Sequence, residues 1–239
     1  MKTLFSLLLA AVLALPAWAD DATSGNQQTL AVSAMLQYDS EYILYGYRQD
    51  GPLLHATLYL AYPLTDAATL WGGSWFGIIP DGTYRELDGF IGMDYSIWGP
   101  LVVGATGSAF HYIDVPFSEK SMAYELFTHI SYYGDRSLVA LRDYIDTESH
   151  GHLIRLVANY TQPVTKRVSL KGNAEFGYAL RYFVSGNHPN DVLLKLEAPI
   201  AISESCRISP YIARTFALDA IKDYEKDDTF GGVSISWTL

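Results

Sequence analysis

The sequence predicts an all-β fold, a single antiparallel transmembrane β-barrel of about twelve strands that follows a cleaved signal peptide. Three observations lead to this prediction. The chain begins with a segment typical of protein export. Hydrophobic and polar residues then alternate with a period of two, and the links between the alternating segments are short and long in turn.

Residues 1–19 have the features of a secretory signal peptide. Lys2 precedes an apolar run from Leu4 to Leu15, and Ala17-Trp18-Ala19 places small residues where a signal peptidase reads them. The apolar run is shorter than the ~20 residues that a membrane-spanning helix requires. We therefore expect cleavage after Ala19, which leaves residues 20–239 as one barrel domain in the outer membrane.

The alternation is clearest in two segments, 86–97 and 168–182. In the first, the odd positions from Leu87 to Ile97 are apolar, aromatic or glycine, whereas the even positions include three carboxylates. In the second, the even positions from Val168 to Tyr182 form the apolar face. A period of two places each set on one face of a strand and would scatter it around a helix.

Twelve segments are long enough to be tilted transmembrane strands. They are 28–38, 52–62, 67–79, 86–97, 101–112, 121–133, 136–146, 152–162, 168–182, 191–202, 207–216 and 229–239. The short links are 63–66, 98–100, 134–135, 163–167 and 203–205, and the long ones are 40–51, 113–120, 183–190 and 217–228. Short turns at one end and long loops at the other are typical of outer-membrane barrels.

Aromatic residues support a barrel in lipid over the alternative, a soluble β-sandwich. Tyr62, Tyr95, Tyr132, Tyr160 and Trp237 each lie on the apolar face near the short-turn end of an even-numbered strand. Such residues mark the water boundary of a membrane barrel. The segment 136–146 fits less well, because its neighbours Arg142 and Asp143 require that one of them face outward, lie at the rim or mark a bulge.

Composition excludes several functional classes. With 16 Lys and Arg against 26 Asp and Glu, the formal net charge is -10, so we expect no nucleic-acid partner. One cysteine, Cys206, permits neither an internal disulfide nor a zinc site built on cysteines. Glu148, His150 and His152 could form a weak metal site, and the acidic loop 217–228 could bridge cations to lipid headgroups. We interpret both groups as solvated and expect no metal and no cofactor.

Several short motifs resemble those of the TorF family of porin-like outer-membrane proteins from Gram-negative bacteria. The residues from Ser40 to Gly46 are similar to the family's S-[DE]-Y-x-[FW]-R-G, although Leu44 and Tyr45 replace the aromatic residue and the arginine. The similarity continues through residues 86–92, 124–126 and 230–237. The resemblance implies an outer-membrane barrel with a porin-like role and implies no particular substrate.

The face opposite the apolar one carries the charges that we expect to line the lumen. An acidic wall on strands four and six contains Glu86, Asp88, Asp94 and Glu125, together with His129. A basic wall on strands eight to ten contains Arg155, Lys171, Arg181 and Lys195, together with Glu175, Asp191 and Glu197. Two interpretations stay open: a narrow channel for small polar or charged solutes, or a structural or surface-interaction barrel that is plugged by charge pairs across the lumen.

A catalytic role is the least favoured interpretation. Glu125, His129 and Ser131 share one inward face, but next-but-one neighbours on a strand are ~7 Å apart, and a catalytic triad needs hydrogen-bond contact. We therefore expect no catalytic residues, with a lipid-modifying enzyme as the alternative. The expected partners are outer-membrane lipids and lipopolysaccharide, small polar solutes, and the barrel-assembly machinery, which would read the outward alternation from Val233 to Leu239.

Overall fold

The computed structural model describes residues 29–49, 51–80, 84–113 and 121–239, so the expected signal peptide lies outside the described residues. These segments hold fifteen strands. In chain order they are β1 Ala31–Asp39, β2 Tyr42–Leu44, β3 Tyr47–Gln49, β4 Leu53–Pro63, β5 Ala68–Ile79, β6 Tyr84–Trp98, β7 Leu101–Tyr112, β8 Met122–Tyr133, β9 Ser137–Asp146, β10 His152–Pro163, β11 Ser169–Leu180, β12 Asn187–Glu197, β13 Ile200–Ala201, β14 Cys206–Ala217 and β15 Asp228–Thr238. No helix in the described segments is long and apolar enough to cross a membrane.

The strands close into a twelve-stranded antiparallel barrel, as the sequence predicts. Neighbours in the chain pair from β4 to β12, while β1 joins β4 to β15, and β14 joins β15 to β12. β12 and β13 both pair with β14 and count as one barrel strand, which is interrupted at Pro199 because proline has no N–H for the ladder. β2 and β3 form a separate hairpin inside the first long loop.

The strand bounds differ from the expected ones most clearly at three places. The strand expected over 191–202 begins earlier, at Asn187, so the expected loop 183–190 is shorter than predicted. The alternation predicts a strand over 168–182, but β11 ends at Leu180. Arg181 and Phe183 have φ angles of 56° and 57°, which a regular strand cannot contain. The predicted loop 40–51 contains the β2–β3 hairpin, whose strands of three residues each are too short for periodicity to reveal.

The apolar face of the strands points outward, as predicted. Ile91, Leu156 and Ile212 are more than half exposed, and the girdle residues Tyr95 and Tyr160 are also exposed. In β9 the charged neighbours divide between the two faces. Arg142 lies opposite the inward residue His129, whereas Asp143 faces outward with its Oδ2 3.0 Å from His152 Nδ1.

The two faces of the wall predict different tolerance to a charge. Leu194 is 47% exposed on the outer face near the middle of β12, and Leu194→Arg is expected to destabilise the barrel by about 2–4 kcal/mol in a bilayer. Asn173→Arg is expected to cost less, because the side chain of Asn173 lies on the inner face and not in lipid. Its hydrogen bond to the inward residue Glu175 indicates this orientation. The urea midpoints of refolding into vesicles measure both losses, and equal losses would contradict the assigned faces.

Candidate functional site

The β2–β3 hairpin reaches across the lumen at the long-loop end of the barrel. Its turn consists of Tyr45 and Gly46, whose φ angles of 53° and 86° suit a two-residue type I′ turn. At this tip, Asn190 Nδ2 donates to the carbonyl oxygen of Tyr45 at 2.7 Å, and the Tyr45 hydroxyl donates to Glu125 Oε1 at 3.2 Å. The hairpin therefore begins next to β1 and is fixed to β8 and β12, well around the barrel.

Aromatic and apolar side chains hold the hairpin at both ends. At the tip, the Tyr45 ring packs on Tyr144 and Tyr182 with centroids 5.0 and 5.8 Å apart. At the base, Tyr42 packs with Leu53 and Tyr84 in a buried cluster. We call this anchored hairpin, residues 42–49, the roof of the lumen.

The last long loop reinforces the roof. Ile221 is fully buried with Ala220 and Tyr182, which corrects the interpretation of 217–228 as a wholly solvated loop. Its charged side chains stay at the surface, where Lys222 Nζ donates to Asp219 Oδ1 at 2.6 Å and lowers the pKa of that carboxyl. The loop is therefore amphipathic, with an apolar side on the hairpin tip and an acidic side in water.

The basic wall is neutralised by carboxylates of the same wall. Arg155 is 5% exposed; its Nη1 lies 3.2 Å from Glu175 Oε2, and its Nη2 bonds Asp191 Oδ2. Lys195 Nζ lies 3.4 Å from Glu197 Oε2 and 4.0 Å from the centre of the Tyr211 ring. The ion pairs among these five residues run along the wall and do not cross the lumen.

Three residues of the acidic wall, Glu86, Asp88 and Glu125, form no ion pair with a described basic residue. Glu125 accepts hydrogen bonds from the hydroxyls of Tyr45 and Tyr182. Glu86 is 2% exposed, yet its Oε2 has no hydrogen-bond partner, and the same holds for Oδ1 of Asp88. No described basic side chain forms an ion pair with either residue. The buried carboxyl group of Glu86 thus stands beside the half-buried one of Asp88, with no described cation paired to either.

A serine, a histidine and an aspartate meet nearer the short-turn end of the lumen. His129 Nδ1 lies 2.9 Å from Ser131 Oγ, and its Nε2 lies 3.1 Å from Asp94 Oδ1. The expectation that His129 and Ser131 are too far apart is wrong, because side-chain rotamers bring the two polar atoms closer than the Cα spacing. Gly104 lies between Asp94 and His129 in the ladder and leaves the gap that their contact crosses.

The remaining predicted residues are dispersed. Lys171 faces inward on β11 beside Glu197 in the ladder. Arg181 lies beyond the end of β11 and is exposed, so the expected inward position of Arg181 is wrong; the positive φ at this residue reverses the strand's alternation. No group of metal-holding side chains occurs in the described residues. His152 of the suggested loop trio instead contacts Asp143.

Beneath the hairpin lies a cavity of about 450 Å³, which we call the chamber. Its lining includes Asp39, Tyr42, Trp75, Glu86, Asp88 and Lys195. Asp39 was not among the expected lining residues. It accepts hydrogen bonds from the Tyr211 hydroxyl at 2.5 Å and from Gln37 Nε2 at 2.7 Å, and lies 3.1 Å from His55 Nε2. The inward alternation of β1 and β4 was the signal that could have identified Asp39 and His55.

Comparison with solved structures shows that the fold is similar to those of outer-membrane β-barrels. An outer-membrane channel from Pseudomonas putida F1 is similar with a TM-score of 0.55 and 12% identity, over 92% of this chain and 100% of that one. The KdgM porin gives a TM-score of 0.56 and 10% identity, over 86% and 98% of the two chains. The same porin in complex with disordered oligogalacturonate gives a TM-score of 0.53 and 10% identity, over 87% and 98%. Protein-family models and curated protein sequences give no match.

Proposed function

We propose that the chain is a narrow porin-like channel of the outer membrane for small polar or charged solutes. One observation carries the proposal: the ion pairs of the basic wall stay within that wall, so among the described residues no ion pair between the two walls fills the bore. Twelve strands enclose more space than the eight-stranded barrels that side chains fill. The chamber is the part of this space that we expect a solute to occupy.

The charge of the chamber favours cations over anions. Its lining includes four carboxyl groups, of Asp39, Glu41, Glu86 and Asp88, and one lysine, Lys195. Lys195 contacts Glu197, Glu41 pairs with Arg48, and Asp39 lies beside His55, which leaves Glu86 and Asp88 without a paired cation among the described residues. Rings of carboxylates select cations in other channels. The KdgM porin was solved with oligogalacturonate, a polyanion, and an acidic chamber would repel such a solute here. We therefore propose cationic or zwitterionic solutes.

Ion selectivity tests this proposal. In planar bilayers with a KCl gradient, the refolded mature chain is expected to conduct and to give a reversal potential on the cation-selective side. The double change Glu86→Gln and Asp88→Asn removes two carboxyl groups that have no ion-pair partner and should move the reversal potential toward zero. Asp143→Asn is the matched control, because Asp143 lies on the outer face. A bilayer that stays sealed in every salt would contradict the channel.

Two other functions remain as alternatives. The close packing of the roof supports a plugged structural or surface-interaction barrel, which the sealed bilayer would favour. A hydrolytic enzyme is suggested by the contacts among Asp94, His129 and Ser131. However, Ser131 is 4% exposed, and its backbone belongs to the ladders with β7 and β9. An oxyanion hole needs free N–H donors near the nucleophile, so the channel is the better-supported function.

The same proposal includes the surroundings of the barrel. The exposed apolar face would contact outer-membrane lipids and lipopolysaccharide. β15, with Val233, Ile235 and Trp237 alternating along its outer face, would serve as the signal for the barrel-assembly machinery.

A further inference from the structure

We propose that the chamber binds an organic cation, a small solute that presents an ammonium group with apolar substituents to Glu86 and Asp88. This inference rests on the proposed channel function and names the class of solute that the channel takes. It is carried by three features of the chamber: two carboxyl groups that each keep a buried oxygen without a hydrogen bond, aromatic neighbours on the same rungs of the sheet, and a volume that suits a small molecule.

Glu86 and Asp88 have no positive partner among the described protein residues. Burying a carboxylate without a counter-charge is unfavourable, so such a group takes up a proton or is paired with a cation. A bound ammonium group would stabilise the ionised form. Asp39, in the same chamber, shows the alternative solution, because Gln37, His55 and Tyr211 all approach its two oxygens. Glu86 and Asp88 each keep one buried oxygen without a hydrogen bond.

Aromatic rings flank the unpartnered carboxylates. In the ladder, Asp88 lies between Trp75 of β5 and Phe110 of β7, and all three side chains line the chamber. One rung nearer the long loops, Glu86 lies beside Gly77. A Cβ at Gly77 would lie 2.1 Å from the Trp75 ring, so this glycine leaves room for the indole next to the Glu86 rung. The chamber thus combines carboxylates with an indole and a phenyl ring on adjacent strands.

This combination suits an organic cation better than a metal ion. The faces of tryptophan and tyrosine attract ammonium groups, and aromatic sites of this kind recognise quaternary ammonium ligands. No described group of three or more metal-binding side chains forms here, and hard metal ions prefer six or more oxygen ligands. The volume of about 450 Å³ lies in the range of small-molecule sites.

Binding of choline chloride to the purified, refolded mature chain tests the inference, with isothermal titration calorimetry as the readout and NaCl as the salt reference. Saturable binding is expected, and Glu86→Gln with Asp88→Asn should weaken it by about tenfold or more. Trp75→Leu should weaken it by about two- to thirtyfold, the range expected for a cation–π contact. Asp143→Asn should leave it unchanged, and the heat-modifiable migration of each variant in gels verifies folding.

The outcomes separate this inference from the proposed function. Conductance without choline binding overturns the organic-cation site and leaves the channel standing. Choline binding without conductance supports the site and contradicts the channel. Binding that the double variant retains, or that equimolar NaCl abolishes, overturns the site, because the carboxylates and the aromatic rings then contribute no recognition beyond charge. If the double variant fails to fold, Trp75→Leu and Asp88→Asn alone give the same test.

Discussion

Arg155→Leu is expected to lower the free energy of unfolding by about 3–5 kcal/mol, the range observed when one partner of a buried ion pair is removed. Arg155 holds both Glu175 and Asp191 in the lumen, and all three side chains are largely buried. Leucine would leave two buried carboxylates without their guanidinium. The urea midpoint of the barrel refolded into vesicles measures the loss.

Lys195→Gln is the matched control for this prediction. Lys195 also pairs with a carboxylate of its own wall, but its side chain is 26% exposed and that of Glu197 is 19% exposed. Water can solvate a released Glu197, so we expect a loss of about 1 kcal/mol or less. Adding Glu175→Gln and Asp191→Asn to the arginine variant should restore much of the stability. Equal losses for the two single variants would show that Arg155 is not the more critical ion-pair partner.

The barrel could be predicted from the sequence because its determinants are local. Strand alternation, turn length and aromatic placement each depend on a few neighbouring residues, and a bilayer requires the same pattern in every strand of the barrel. The outward positions of Ile91 and Tyr160 follow directly from this pattern. The alternation of odd and even positions also predicted that Glu86, Asp88, Glu125 and Arg155 face inward, although it gave no information about their partners.

The partners depend on register and on contacts between distant segments. β12 has a bulge at which Asn190 and Asp191 both oppose Gly177, and it turns both side chains inward to meet the hairpin and Arg155. A bulge adds one residue to a strand without changing the composition around it. The sequence therefore predicted a basic wall, and the register of β12 against β11 determined that this wall would neutralise itself.

The roof was also beyond local reasoning. The hairpin strands have three residues each, and the hairpin is held by Tyr182 and Ile221 from loops far along the chain. Such contacts leave no periodic signal in the sequence. The segment 40–46 could be recognised only as a motif, and its tip, Tyr45 and Gly46, proves to be the part of the first loop that crosses the lumen.

Gly46→Ala is expected to release the hairpin tip and raise the single-channel conductance of the barrel. At Gly46 an added Cβ would lie 2.8 Å from Ile221 Cδ1 and 2.9 Å from Asp191 Cβ, distances at which the tip must move. The tip would then lose the hydrogen bonds that join Tyr45 to Asn190 and Glu125. Since these contacts fix the roof over the chamber, the lumen should open wider at its long-loop end. Single-channel recordings of the two proteins in the same salt measure the change.

Gly99→Ala separates this steric effect from backbone strain. Gly99 lies in a short turn with a φ of 48°, and an added Cβ there would meet no atom within 4 Å. Both changes place alanine in the left-handed region, at a cost of about 1–2 kcal/mol, but the change at Gly99 touches neither the hairpin nor the chamber. The Gly99 variant should therefore lose a similar amount of stability from backbone strain but keep the single-channel conductance of the parent. If Gly46→Ala also conducts like the parent, the hairpin does not limit passage, and the constriction must lie deeper in the lumen, where Asp94, His129 and Trp71 meet.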